Sequence, residues 1–139
     1  MKDRRDLVLG WLSKADSDLT VLDLTLRAES ALDTACFHAQ QAAEKLLKAF
    51  LLDRQVAFPF THDLPRLLLL CQAQDASFAV LLPFAELLTP YALELRYDGD
   101  FWPSLEVTRE ARDAALAIRR FVLQRLPPDL ADELSRANP

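Results

Sequence analysis

Residues 37–48 read FHAQQAAEKLLK, and residues 61–64 read THDL. Ala39, Ala42 and Leu46, with Ala35 before them and Ala49 after, recur at intervals of three and four, the period of one helix face. That face is mostly alanine, so a neighbouring helix can approach it closely. Thr34, His38, Gln41, Lys45 and Lys48 follow the same period on another face and line up as a polar, cationic stripe. The break Phe58-Pro59-Phe60 then leads into Thr61-His62-Asp63-Leu64, where Thr61 is expected to cap a third helix beginning at His62. Pro65 fits there, because first-turn N–H groups have no helical partner.

The same period extends in both directions. A first helix is expected from about Arg4 to Ala28, with Leu7, Trp11, Ala15, Leu19, Leu22 and Leu26 inward and Asp16, Thr20 and Asp23 towards solvent. Ser30 or Asp33 is the expected cap of the second helix, which continues to about Arg54. The third ends near Ala73. A fourth helical region, about Ser77 to Leu95, contains Pro83 and Pro90, at least one of which should kink or divide it. After the loop Arg96–Pro103, Ser104 is expected to cap a long helix to about Leu126, with Ala111, Ala115, Ile118, Val122 and Leu126 inward. Pro127-Pro128 stops it. The expected fold is all-α, an up-and-down bundle of four main helices plus a short one, with residues 1–127 as a single domain and 128–139 as a short tail making at most one turn.

The 139 residues bury roughly two-thirds of their unfolded surface on folding, enough for a core without disulfide or metal. Cys36 and Cys71 sit in apolar helical patterns and read as small buried hydrophobes in a reducing compartment. No spaced Cys/His cluster points to zinc, and no metal or cofactor is expected. The charged N-terminus lacks a signal-peptide core, and no apolar run reaches the ~18 residues of a transmembrane helix, so the expected location is the cytoplasm, away from membranes. A net charge of −5 argues against a broad electrostatic grip on nucleic acid. Gly-rich phosphate loops, HExxH and GxSxG are absent.

Four groups of residues have chemistry to offer. On the second helix, Glu44 precedes Lys48 by four residues, the favourable orientation for an ion pair worth about 0.2–0.5 kcal/mol on a solvated face. The same stripe could instead hold an anionic or base-bearing ligand: Gln41 reading hydrogen-bonding edges, Lys45 and Lys48 neutralising phosphate, His38 exchanging a proton near neutral pH. In THDL, Asp63 suits a helix start, and His62 at a helix N-terminus could face an anion. In the loop, Arg96 beside Tyr97 is either a clamp on phosphate or carboxylate or an anchor paired with Glu94, Asp98 or Asp100. Arg109, Arg112, Arg119 and Arg120 on the last helix alternate with acids and read as a mixed surface.

The run FHAQQAAEKLLKAFL, the following THDL, the later Arg96-Tyr97 and the opening Trp11…Ala15…Asp18-Leu19 together resemble the HEPN domain family, over about Arg5 to Leu126. The resemblance implies a compact helical bundle, often dimeric. It also implies nucleotide binding and pairing with a small nucleotidyltransferase, as in toxin–antitoxin systems. Many relatives are metal-independent ribonucleases whose active site is an Arg, four to six residues, then a His. This chain departs from that pattern, since His38 and His62 both precede Arg96, and Asp98 stands where relatives commonly carry Pro after the Arg-Tyr pair. Three readings follow. The leading one is a binding module for a nucleotide or a nucleotidyltransferase partner, as a homodimer, using His38, Gln41, Glu44, Lys45, Lys48, His62, Asp63, Arg96 and Tyr97 with no catalytic residue. The second is a ribonuclease that combines His38 or His62 with Arg96. The third is a ligand-free adaptor that dimerises through the alanine-rich helix.

Overall fold

The computed structural model describes residues 2–137. Its helices, in chain order, are α1 (Arg4–Ala28), α2 (Leu32–Asp53), α3 (Leu64–Gln74), α4 (Leu82–Leu88), α5 (Leu105–Leu123) and α6 (Pro128–Ala137). Short 3₁₀ turns at Ala76–Leu81 and Thr89–Tyr91 flank α4. Pro83 and Pro90 each stand in the first turn of the segment that follows a break, where a missing N–H costs nothing. The fourth helical region is therefore divided at both prolines.

The central element is α2. Ala35, Ala39, Ala42, Ala43 and Ala49 are all fully buried, so α1 and α5 lie close against it. Phe50 of α2 packs on Phe78 at 4.3 Å between ring centroids, and Phe78 meets Phe121 of α5 edge-on at 4.9 Å. This aromatic run ties three elements together, each contact adding about 0.5–1.5 kcal/mol beyond burial alone.

Two expectations for α1 change. Its buried stripe is Val8, Leu12, Ala15, Leu19 and Leu22. Leu7 is exposed and Trp11 half-buried, because the stripe drifts by one residue over the first turns. Asp16 and Asp23 do not simply face solvent: they pair with Arg119 and Arg112 of α5, at 2.8 and 2.6 Å, and stitch the α1–α5 edge. The caps also differ. Ala31, in the left-handed region (φ 54°), precedes α2 with no side-chain cap, so neither Ser30 nor Asp33 caps it. Asp63, not Thr61, caps α3 by accepting from the Arg66 N–H, while the Thr61 hydroxyl accepts from the Asp63 N–H. The helix thus begins at Leu64 rather than His62, and the Leu64 N–H donates to the Thr89 hydroxyl at 2.9 Å. Ser104 caps α5 as expected, accepting from the Val107 N–H.

The segment from residue 128 was expected to make one short turn. It forms the ten-residue helix α6, which buries Leu130 and Leu134. Arg5 of α1 clamps it by pairing with Asp129 at 2.7 Å and with Glu133.

Candidate functional site

The polar stripe of α2 separates into two clusters, because α2 is covered on both flanks. In one, Glu44 and Lys48 are buried, not solvated. Lys48 Nζ donates to Glu44 Oε2 at 3.0 Å, and His62 Nδ1 lies 2.7 Å from Glu44 Oε1. The Gln40 amide donates to Glu44 Oε1 at 3.3 Å and to the His62 carbonyl at 3.0 Å. The Lys48 ammonium sits within 5.8 Å of the ring centroids of Trp11, Phe58 and Phe60. The cluster closes the 54–63 connector onto α2, and its buried charges are paired, as burial requires. Gln40 is fully buried and was not among the residues singled out from the sequence. Its neighbour Gln41 was, and it donates to the Gln40 side-chain oxygen at 2.7 Å. A glutamine one position off the polar stripe, facing the alanine side, was the available signal.

In the other, Asp18 of α1 receives two residues of the stripe. His38 Nδ1 lies 2.8 Å from Asp18 Oδ1, and Lys45 Nζ donates to Asp18 Oδ2 at 2.5 Å. An ionised Asp18 fixes the His38 proton on Nδ1 and leaves Nε2 as the ring's acceptor. His38 also lines a groove of about 430 Å³ with Asp33, Thr34, Phe37, Arg96 and Tyr97. The Arg96 guanidinium lies over the Phe37 ring, 4.1 Å from its centroid, and donates to the Tyr97 hydroxyl at 3.2 Å. It makes no ion pair with Glu94, Asp98 or Asp100, so the loop-anchor alternative gives way to an aromatic seat on an exposed residue. Residues 38 and 96, distant in sequence, thus share one groove; His62 lies with the other cluster.

The groove can orient an anion by a held guanidinium and move a proton at a histidine whose tautomer is set by a carboxylate. It opens beside the first turn of α2, whose N–H groups have no side-chain cap, though Asp33 there adds a negative charge. The cysteines are not part of it. Burial pushes the Cys36 thiol up to about 11 and the Cys71 thiol up to about 12, which keeps both protonated and inert. Among the described residues no group of His, Cys, Asp and Glu is placed to hold a metal ion. None of the described helices is long and apolar enough to cross a membrane.

A family model described as HEPN domain matches residues 8–126. The fold is similar to that in the crystal structure of TT1696 from Thermus thermophilus, with 28% identity, a TM-score of 0.74, and coverage of 86% of this chain and 98% of that one. It is also similar to the crystal structure of ST0689, an archaeal HEPN homologue, at 22% identity and a TM-score of 0.68, over 90% of this chain and 98% of that one. No curated protein matches the chain.

Proposed function

The chain belongs to the HEPN domain family, and on that premise we propose that it is a nucleotide-binding module whose site is the Arg96–His38 groove. The observation that carries the reading is the Arg96 guanidinium, held over Phe37 at 4.1 Å and exposed beside His38. Stacking removes much of the entropy cost of fixing a long side chain, so Arg96 is ready to clamp a phosphate. Thr34 supplies a hydroxyl, His38 Nε2 an acceptor, and Tyr97, 73% exposed, an aromatic face for a base. Glu44, Lys48 and His62 belong to the closed cluster and support the groove from a distance. The reading keeps a nucleotidyltransferase as the partner protein that supplies or uses the nucleotide, and a homodimer as the working assembly. Calorimetry of the purified chain against nucleoside mono-, di- and triphosphates tests it. Saturable heat with at least one is expected, and silence with all would overturn it.

One observation favours a second reading. The Asp18–His38 contact beside Arg96 is the acid/base and clamp combination that phosphodiester cleavage requires. In that reading His38 Nε2 takes the proton of a ribose 2′-hydroxyl, and the oxygen attacks the adjacent phosphorus. The 5′-oxygen leaves with a proton taken from water, giving a cyclic phosphate, while Arg96 holds the charge that develops. Cleavage of RNA that is lost in His38→Ala would support it; cleavage unchanged in that variant would remove it.

A further inference from the structure

At the other end of α2, about 15 Å away at 1.5 Å per residue, a different surface is built around the start of α1. Leu7 is 44% exposed, and Phe60 is 96% exposed. A shallow hollow of about 280 Å³ is lined by Lys2, Leu7, Gly10, Trp11 and Lys14. At Gly10 a Cβ would meet nothing within 4 Å, so the floor of the hollow is open. Trp11 and Phe60 both pack on the Lys48 ammonium, whose Nζ lies 5.7 Å from one ring centroid and 5.8 Å from the other.

Lys2 and Lys14 bracket the hollow, and no acid is among its lining residues. All four lysines of the chain, at positions 2, 14, 45 and 48, lie on α1, α2 or the residues just before α1. Lys45 and Lys48 are neutralised by Asp18 and Glu44. Lys2 and Lys14 are exposed and make no ion pair among the described residues. Of the nearby acids, Asp3 is committed as the cap of α1, accepting from the Asp6 N–H, and Asp6 lies in the first turn, where the helix dipole favours it.

The molecule already holds one helix in the way such a surface requires. On the other flank of the α1 buried stripe, α6 inserts Leu130 and Leu134 and sets Asp129 and Glu133 on Arg5. We propose that the Leu7–Trp11–Phe60 surface, bracketed by Lys2 and Lys14, docks an acidic amphipathic helix of a partner protein. One apolar side chain fills the hollow above Gly10, and carboxylates near it meet the two lysines. Two uncommitted lysines on a chain of net charge −5 make a poor match to an anionic bilayer, which selects dense basic clusters. The proposal does not depend on the Arg96 groove, and loss of nucleotide binding would leave it standing.

The test is fluorescence anisotropy with a labelled peptide repeating residues 128–137, stapled into a helix across its solvent face, against the full chain. Saturable binding is expected. It should weaken at least tenfold in Lys14→Glu and in Phe60→Ser, and fail when both leucines of the peptide become serine. It should be unchanged in Arg5→Ala, which reports exchange with the chain's own α6. Circular dichroism confirms that the variants fold. No binding, equal binding to Lys14→Glu, or loss in Arg5→Ala would overturn the proposal. Two other outcomes would also overturn it: sedimentation of the chain with phosphatidylserine vesicles that Lys14→Glu abolishes would assign the surface to membranes, and a dimer dissociated by Phe60→Ser would assign it to a second copy.

Discussion

Asp18 Oδ1 lies 2.8 Å from His38 Nδ1, and this contact across the α1–α2 seam orients the histidine of the groove. The other oxygen of the same carboxylate holds Lys45. Asp18→Asn keeps the shape and removes the charge that both partners use. It should cost about 1–3 kcal/mol of stability, measured by urea denaturation, since partly buried groups lose a charged acceptor. It should also weaken nucleotide binding, because the His38 tautomer is no longer fixed.

The Glu44 cluster behaves differently because it is deeper. Glu44→Gln leaves Lys48, with its side chain only 7% exposed, without its carboxylate. The expected loss is about 3–5 kcal/mol. The double variant Glu44→Leu, Lys48→Met removes both charges together and should recover most of that loss. A thermodynamic cycle over Glu44→Leu, Lys48→Met and the double variant checks this. A double variant no more stable than Glu44→Gln would mean that the His62 and Gln40 bonds, not the ion pair, carry the cluster.

Burial raises both thiols, which has a direct consequence in alkaline solution. Cys36 moves from 9.0 to about 11 and Cys71 from 9.0 to about 12. The unfolded chain ionises its thiols first. The stabilisation is therefore complete below pH 9 and is lost as the pH rises through 11 to 12. At pH 8 the native protein should react with a disulfide reagent far more slowly than the same protein in denaturant. Two fast native thiols would contradict the packing of both residues.

The α6 helix should be part of the cooperative fold. Leu134→Ala removes a buried side chain and should cost about 2–5 kcal/mol. Below the unfolded value of 3.8, acid should weaken the clamp further, because the bond from Arg5 holds the Asp129 carboxyl below its usual range. That contribution is present above pH 3.8 and lost as the pH falls through the lowered value. Hydrogen exchange of the 128–137 amides, in wild type and Arg5→Ala across this range, measures it.

The helical period made the bundle legible in the sequence, together with the alanine face of α2 and the caps that rest on local side chains, such as Ser104. Apolar spacing encodes a helix and its inward face without reference to partners. It does not encode how far the face is wrapped. Lys48 and Glu44 lie on a polar stripe by spacing, yet the connector carrying Phe58 and Phe60 folds over them. The same limit hid α6: two leucines four apart in an acidic decapeptide bury themselves only because Arg5 and the α1 flank are waiting 124 residues away. The groove was half legible. Residues 38 and 96 were both visible as chemistry, while Asp18 and Phe37, which hold them, owe their role to packing between elements.

The affinity of one nucleotide for wild type, Arg96→Ala and Arg96→Lys, measured side by side by calorimetry, tests the central claim most directly. Arg96→Ala should bind at least tenfold more weakly. Arg96→Lys should recover little, because lysine has neither the planar fork nor the stack on Phe37. Equal affinity in all three proteins would place the nucleotide elsewhere and contradict the account.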